Sequence, residues 1–460
     1  MARRVAGMFR GTPPAEKEPP VVHQRIPRDQ HPISRKNVSK AALNVLYGLH
    51  DAGFQALLVG GGVRDQLVGL HPKDFDIATD ARPEEVSQVF RRCRLIGRRF
   101  RLAHVRFGNE IIEVATFRAA PRSPDGDGDD DEDDGGRHEL DDSGRILRDN
   151  VYGTLEQDAV RRDFTINALY YDIADFSIID HVGGMRDLQE RRLRLIGDPQ
   201  TRYREDPVRI LRALRFAAKL DFTLDPAAAA PIPELKHTLL DVPPARLFDE
   251  LQKMLLCDHA PECFAALRNE GMLDVLLPVV AESLANPQAA QLIEAALRNT
   301  AQRVREDKPV SPAFLLACML WFPMNERQRR HEAAGLPPMQ ALAAAADELF
   351  AQVVRRVAIP RRFSGMVNEI WHLQHRFTQR RGKRPLRLVE HKRYRAAWDF
   401  LDLREQVGDA EAGLTRWWEE FAEANGPDRD ALQGRVDDGG GETSGDGGPG
   451  RRRRRRRGGR

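Results

Sequence analysis

The stretch Leu57-Leu58-Val59-Gly60-Gly61-Gly62-Val63-Arg64-Asp65, with Asp74-Phe75-Asp76 beginning nine residues beyond Asp65, constrains the fold of this chain more than any other. An apolar run, a glycine turn and a helix-compatible segment lead into two carboxylates one residue apart. Phe75 and Ile77 alternate with Asp74 and Asp76, the period-two pattern of a strand with one buried and one open face, so both aspartates point the same way. Carboxylate oxygens are hard ligands suited to Mg²⁺. A pair so placed can clamp two ions about 4 Å apart, activating an attacking hydroxyl and neutralising a departing pyrophosphate. Standing alone, Asp-Phe-Asp would be no more than the polar face of a strand; the glycine turn upstream is what points to phosphoryl transfer.

Gly60-Gly61-Gly62 lies between a strand-like run and the helix-compatible Val63 to Leu70, so Gly61 and Gly62 can offer backbone N–H groups to phosphates. Two other glycine loops do not fit. A P-loop needs Gly-Lys-Ser/Thr after its glycines, and a dinucleotide fingerprint needs a glycine where Asp65 stands. Arg64 can serve a triphosphate as a charge-assisted donor, or it can pair with a nearby aspartate instead.

Leu-Val-Gly-Gly-Gly-Val-Arg-Asp with Lys-Asp-Phe-Asp resembles the head of the class II nucleotidyltransferases, the group of bacterial poly(A) polymerases and CCA-adding tRNA nucleotidyltransferases. Two further blocks, Arg161-Arg162-Asp163-Phe164-Thr165-Ile166-Asn167-Ala168-Leu169 and Glu205-Asp206-Pro207-Val208-Arg209-Ile210-Leu211-Arg212, are similar to other signatures of the group. The resemblance covers roughly residues 30 to 425. It implies an α+β protein, with a small mixed-sheet nucleotidyltransferase head followed by a helical neck and body. Asp74 and Asp76 are then the metal-holding carboxylates. Asp163 assists as a third, ahead of Glu113, which alternates with Ile112 and Val114 on a strand; Asp163 can also cap a helix over Phe164 to Tyr171. Arg161, Arg162 and Asn167 join Gly61, Gly62 and Arg64 in nucleotide binding.

Asp206 and Arg209 are three apart at the start of a helix, hence on one face, with Arg212 a turn further on. Pro207 suits the first helical position, which would make Asp206 an N-cap. Its other reading is chemical. A carboxylate offers acceptors and a guanidinium donors, and adenine and cytosine both show an amino donor beside a ring-nitrogen acceptor on the Watson–Crick edge. The pair therefore admits ATP and CTP and rejects GTP and UTP. It does not separate a poly(A) polymerase from a CCA-adding enzyme. The arginine-dense block from Cys93 to Phe107 (Arg94, Arg98, Arg99, Arg101, Arg106), whose wording is closer to poly(A) polymerases, favours the former. The leading expectation is template-independent addition of AMP from ATP to RNA 3′ ends, dependent on Mg²⁺. The alternatives are a CCA-adding enzyme and a catalytically silent RNA-binding protein of the same fold.

At 460 residues with 41% hydrophobic content the chain can hold two or three cores. No apolar run is long enough to span a membrane, and the basic Met1 to Arg28 lacks the apolar segment of a secretory leader. Cys93, Cys257, Cys263 and Cys318 have no metal-ligand spacing, as befits reduced thiols in the cytoplasm. The division predicted is a disordered arm at 1–35, a catalytic head at 36–170 with an acidic loop insertion at 119–149, a helical neck at 171–245, a helical body at 246–425 and a disordered tail at 426–460. Net charge is only +3, yet Arg451 to Arg457 is an unbroken arginine run, a composition that grips nucleic acid electrostatically. Deleting Arg451 to Arg460 should weaken RNA binding alike for all sequences and flatten its salt dependence by roughly 0.7 log–log units per lost single-strand phosphate contact. Filter binding across a salt series measures the slope, and an unchanged slope would mean that the tail does not touch RNA.

Overall fold

A computed structural model describes residues 23–97, 101–119, 139–140, 146–148 and 151–438. The chain forms two compact units, one of residues 1–283, 297–310 and 350–359, the other of residues 284–296, 311–349 and 360–460.

The first unit is built on an eight-stranded mixed sheet. In chain order its strands are β1 (Gln24–Ile26), β2 (Ala56–Val59), β3 (Asp76–Thr79), β4 (Cys93–Ile96), β5 (Leu102–Phe107) and β6 (Glu110–Thr116). A separate ribbon, β7 (Glu139–Leu140) with β8 (Ile146–Arg148), precedes the last two, β9 (Leu169–Asp172) and β10 (Ile178–Asp180). The spatial order is β1-β10-β9-β2-β3-β6-β5-β4. Every pairing is antiparallel except that of β3 with β6. Leu57, Leu58 and Ile77 are wholly buried at its centre, which fixes the register, because a one-residue slip would send these side chains to the wrong face.

The helices start where the sequence has the chemistry to start them. Helix α1 (Lys40–Asp51) is capped by Ser39, whose Oγ accepts from Ala42 N at 3.1 Å. The glycines predicted as a turn belong partly to α2 (Gly61–Leu67), with Gly60 at φ 70° as its N-cap. Helix α3 (Pro83–Val89) begins at proline, and Glu85 accepts from Arg82 N at 2.6 Å. Thr79 and Asp80 serve the loop before β2: Asp80 accepts from Gln55 N and Thr79 donates to Gln55 O. After α4 (Leu155–Arg161) and α5 (Gly184–Gln189) come α6 (Pro199–Glu205) and α7 (Val208–Leu220). The short α8 (Pro226–Ala229) and α9 (Ile232–Leu235) lead to α10 (Pro244–Leu255) and α11 (Ala260–Asn269).

Several boundaries differ from expectation. The arm at 1–35 is structured from Gln24, where β1 joins the sheet edge. The head does not stop at 170, because β9 and β10 complete its sheet. Phe164 to Tyr171 is not a helix: Thr165–Asn167 makes one 3-10 turn and Leu169 enters β9, so Asp163 caps nothing there. Residues 426–438 are helical, while the acidic stretch at 120–138, Arg98, Arg99 and the arginine run lie outside the described residues.

The second unit is helical among its described residues. Its core gathers Leu373, Phe377, Leu401, Trp418 and Phe421, with Trp418 Nε1 donating to Phe377 O at 2.9 Å. No helix among the described residues is long and apolar enough to cross a membrane.

One buried charge holds the turn after α4 in place. Asp187 on α5 is fully buried and accepts from Thr165 Oγ1 (2.6 Å), Arg194 Nε (2.9 Å) and Arg192 Nε (3.1 Å). Asp187→Ala would remove the buried acceptor of Thr165, Arg192 and Arg194; because both guanidiniums are partly exposed and Arg192 keeps Glu190, the cost should be about 2–3 kcal/mol. Urea unfolding should show a loss of that order, and a loss below about 1 kcal/mol would remove this residue from the framework.

Candidate active site

The carboxylate pair stands as the alternation requires: Asp74 and Asp76 are exposed, and Phe75 and Ile77 are buried. Strand β3 places Val59 on one side of Asp76 and Glu113, from β6, on the other. Glycine is needed behind them. A Cβ on Gly62 would meet Phe75 Cδ1 at 3.2 Å and Asp74 O at 3.6 Å, so the α2 backbone and the Asp-Phe-Asp segment approach more closely than a side chain comfortably allows. Gly61 packs beside the Arg64 guanidinium, 3.5 Å from where its Cβ would be.

Arg64 does not reach out toward a ligand. It is 3% exposed, donates through Nε to Asp65 Oδ1 at 2.8 Å and through Nη1 to Asn167 Oδ1 at 2.5 Å, and lies over the Phe216 ring. Its donors are consumed internally, which corrects the phosphate-binding expectation for Arg64. Asn167 is likewise internal, passing the contact on through Nδ2 to Asp163 Oδ1 at 3.1 Å. Asp163 then takes Arg212 Nε at 2.7 Å and Phe164 N at 2.8 Å. Burial works to raise its pKa, but the Arg212 charge and the two N–H donors outweigh it and hold the carboxylate well below its usual range. Asp163, ranked ahead of Glu113 as a third metal carboxylate, is engaged with Arg212, while Glu113 is in register beside Asp76.

A cavity of about 480 Å³ opens next to the carboxylates, reached by way of Ala115, two residues beyond Glu113 on β6. Its walls carry seven cations (Arg118, Arg161, Arg162, Arg209, Arg212, Arg246 and Lys253) against five carboxylates. Arg162 is locked to Asp158 and to the Tyr170 hydroxyl, each at 2.9 Å, so it shapes the wall rather than offering free donors. Arg161 differs. Burial, with Arg118, Arg162, Arg202 and Arg209 crowding it, brings its pKa down to about 9. Burial and Arg209 likewise bring Arg202 down to about 10. Guanidiniums held this close to one another form a place for an anion.

Asp206 and Arg209 both line the cavity, and Arg209 N donates to Asp206 O at 3.0 Å. Arg209 donates to Arg202 O (2.7 Å) and Glu205 (2.9 Å). Asp206 does not cap α7 with its side chain; it receives Arg246 in a two-point bond at 3.1 and 3.0 Å. Arg246, Arg118 and Arg202 went unnoticed in the sequence. Arg246 alone had a signal, a cation in the first turn of a proline-started helix, where the helix dipole gives it no local partner.

Crowded carboxylates and a cavity crowded with guanidiniums are the chemistry that a nucleotidyltransferase head requires. Residues 56–194 match the poly A polymerase head domain, 221–284 the probable RNA and SrmB-binding site of polymerase A, and 334–458 the polymerase A arginine-rich C-terminus. The chain is 48% identical to poly(A) polymerase I of Salmonella typhi over 90% of its own length and 89% of that protein. To the CCA-adding enzyme of Bacillus pumilus it is 36% identical over 48% of its length and 51% of the other. A solved tRNA-processing enzyme in an apo form shares the fold with a TM-score of 0.54 at 21% identity, covering 85% of this chain and 99% of that one. The Thermotoga maritima CCA-adding enzyme complexed with tRNA does so with a TM-score of 0.51 at 20% identity, covering 89% and 85%. This chain belongs to the bacterial poly(A) polymerase family. Nucleotidyltransferases of this kind depend on divalent metal ions.

Asp76 carries the electrostatic mark of such a site. Its tip is open, yet the surrounding strands strip water from it; this desolvation, with the like charges of Glu113 and Asp74 and against the pull of Arg162, pushes its pKa up to about 6. A carboxyl raised in the folded state binds more protons there than in the unfolded chain, so metal-free stability should fall as pH rises from about 4 through about 6. A divalent cation, which favours the ionised form, should reverse that slope. Thermal unfolding at pH 4.5 to 7.5 with and without Mg²⁺ checks this, and a metal-free slope that vanishes in Asp76→Asn assigns it to this residue.

Proposed function

We propose that Asp74 and Asp76, with Glu113 beside them, hold Mg²⁺, and that the cationic cavity receives the triphosphate of ATP whose AMP is joined to an RNA 3′ end. The residues fit the ion: the hard carboxylate of Asp76 is in register beside that of Glu113, with Asp74 just before the strand, and their mutual repulsion is what a divalent cation relieves. When bound, the ion supplies activation of the 3′-hydroxyl and neutralisation of pyrophosphate.

The chain's own residues do the rest. Arg161, with Arg118 nearby, faces the phosphates from a site where extra negative charge is favoured. Gly61 and Gly62 open α2, and their N–H groups, which have no partner within a first helical turn, are offered to a phosphate. Asp206, fixed by Arg246, is a carboxylate acceptor on the wall for an amino group of the base, and Arg209 lines the same wall. Arg212 and Arg162 hold that wall through Asp163 and Asp158. Asp163, Asn167 and Arg64 are positioning residues. The unpaired Cys93, Cys257, Cys263 and Cys318 fit a reducing compartment, and we place the enzyme in the cytoplasm.

The choice of ATP with a general RNA, over CCA addition to tRNA, is carried by one observation: identity to poly(A) polymerases runs through 90% of the chain, whereas identity to CCA-adding enzymes covers about half. Purified protein should extend an unstructured RNA by many residues with ATP alone and use CTP poorly. Strict C-C-A addition confined to tRNA would sink this reading and leave the metal site standing. Asp74→Ala or Asp76→Ala should abolish nucleotide addition in a folded protein, because each removes a metal ligand from an open strand face; substantial polymerisation by either would remove the metal assignment.

A further inference from the structure

The far edge of the sheet carries a cluster that the transfer reaction does not use. The β1–β10 ladder pairs Gln24 with Asp180, Arg25 with Ile179 and Ile26 with Ile178. Carried one residue further, the same register sets His23 opposite His181. Facing residues of an antiparallel pair share a side of the sheet, with Cβ atoms about 5 Å apart. The rings accordingly lie 4.0 Å apart, centroid to centroid. Glu156, in the first turn of α4, closes the third side, with Oε1 3.1 Å from His23 Nε2. One ligand atom from each of the three residues lies within 4.8 Å of the other two. Two strands, β9 and β2, separate β10 from β3 and its aspartates.

The state of His181 is what makes the cluster more than a surface ion pair. The residue is 6% exposed, and its Nε2 is buried with no hydrogen-bond partner among the described residues. A buried polar atom left without a partner costs roughly 1–3 kcal/mol, so such an atom calls for a ligand. The adjacent carboxylate is unavailable, because Asp180 already accepts the backbone N–H groups of Val182, Gly183, Gly184 and Met185. Burial, with His23 next to it, lowers the His181 pKa and keeps the imidazole neutral, the form that ligates metals. His23 and Glu156 are the mobile half, with side chains 62% and 66% exposed.

We propose that His23, Glu156 and His181 form a second metal site that takes a borderline transition ion of the Zn²⁺ class and ties β1 to the start of α4. Two imidazoles and a carboxylate suit Zn²⁺ and leave its fourth position to water, whereas Mg²⁺ prefers oxygen ligands alone. Zn–N and Zn–O bonds of about 2.0–2.2 Å require the ligand atoms to draw together, which rotation of the exposed His23 and Glu156 side chains permits. The start of α4 is set independently: Thr154 Oγ1 accepts from Gln157 N at 3.3 Å, and Gln157 Oε1 accepts from Thr154 N at 2.9 Å. Glu156 is thus presented on a fixed backbone.

The test uses the untagged full chain with Mg²⁺ in excess, so that hard carboxylate sites are filled, and titrates Zn²⁺ by calorimetry. Wild type should bind one equivalent that Mg²⁺ does not displace, and His23→Ala and Glu156→Ala should each lose it. Both replaced side chains are exposed, so folding is not at stake as it would be for His181→Ala. Zn²⁺ should raise the Tm of wild type and not of His23→Ala, because a ligand bound only by the native state stabilises it. Co²⁺ in place of Zn²⁺ should give visible d–d absorption in wild type alone. Equal zinc stoichiometry in wild type and both variants, whether one equivalent or none, overturns the proposal.

Discussion

Arg64 sits at the head of a buried polar chain on which the geometry of the head depends. Its guanidinium joins Asp65 to Asn167, Asn167 reaches Asp163, and Asp163 holds Arg212 on α7. Lys219, a further turn and more along α7, returns toward Asp65 with Nζ 3.7 Å from Oδ2. The glycine-started α2, the turn after α4 and the neck helix are thus fixed to one another by hydrogen bonds between charged groups rather than by apolar contact alone. Such networks hold well when every member is satisfied and fail when one is removed, because the low-dielectric interior magnifies both the bond and the orphaned charge. Residues that look in sequence like a ligand's partners are one another's partners, and their rigidity is what aims the groups that remain.

Those remaining groups are arranged as two opposed electrostatic stresses. Asp76 on β3 is in register beside Glu113 on β6, with Asp74 just before the strand, and Asp76 is pushed toward protonation. The guanidiniums of Arg161 in the cavity wall and of its neighbour Arg202 are pushed toward losing theirs. Separately each arrangement costs the fold something. A divalent cation relieves the first and a polyphosphate the second, and a metal–nucleotide complex presents both charges at the spacing of one molecule. Groups whose environments drive their pKa values in opposite directions are a recurrent mark of sites that bind and react.

How much of this was legible in the sequence depended on the range of the interaction. Asp74 and Asp76 were placed correctly because strand alternation is a local property, and a buried Phe75 and Ile77 leave their neighbours one face to occupy. The start of α7 was legible for a similar reason, from Pro207 at the head of the helix. Strand β1 was not: three residues with a single buried side chain carry no pattern. Leu169 to Tyr171 is a short apolar run that periodicity cannot assign to helix or strand, and its neighbours in the sheet decided for β9. Partner choice among charges was the least legible. Asp206 turned to Arg246, forty residues away, and Asp163 to Arg212, forty-nine away, and nothing near either aspartate in the chain announces that.

The same reasoning explains why site chemistry alone leaves the nucleotide choice open. A carboxylate with spare lone pairs accepts an amino group from adenine or from cytosine, since both show a donor beside an acceptor on the same edge. Metal carboxylates and phosphate-binding arginines serve either reaction equally, because the bond made and the pyrophosphate lost are the same. Enzymes that differ in product but not in chemistry have reason to share the head and to diverge where the RNA is held. Along this chain, resemblance to the Bacillus pumilus CCA-adding enzyme covers 48% of the length, resemblance to poly(A) polymerase I covers 90%, and residues 334–458 match the arginine-rich C-terminus of polymerase A. Chemistry common to both reactions therefore does not separate them; the extent of the resemblance does.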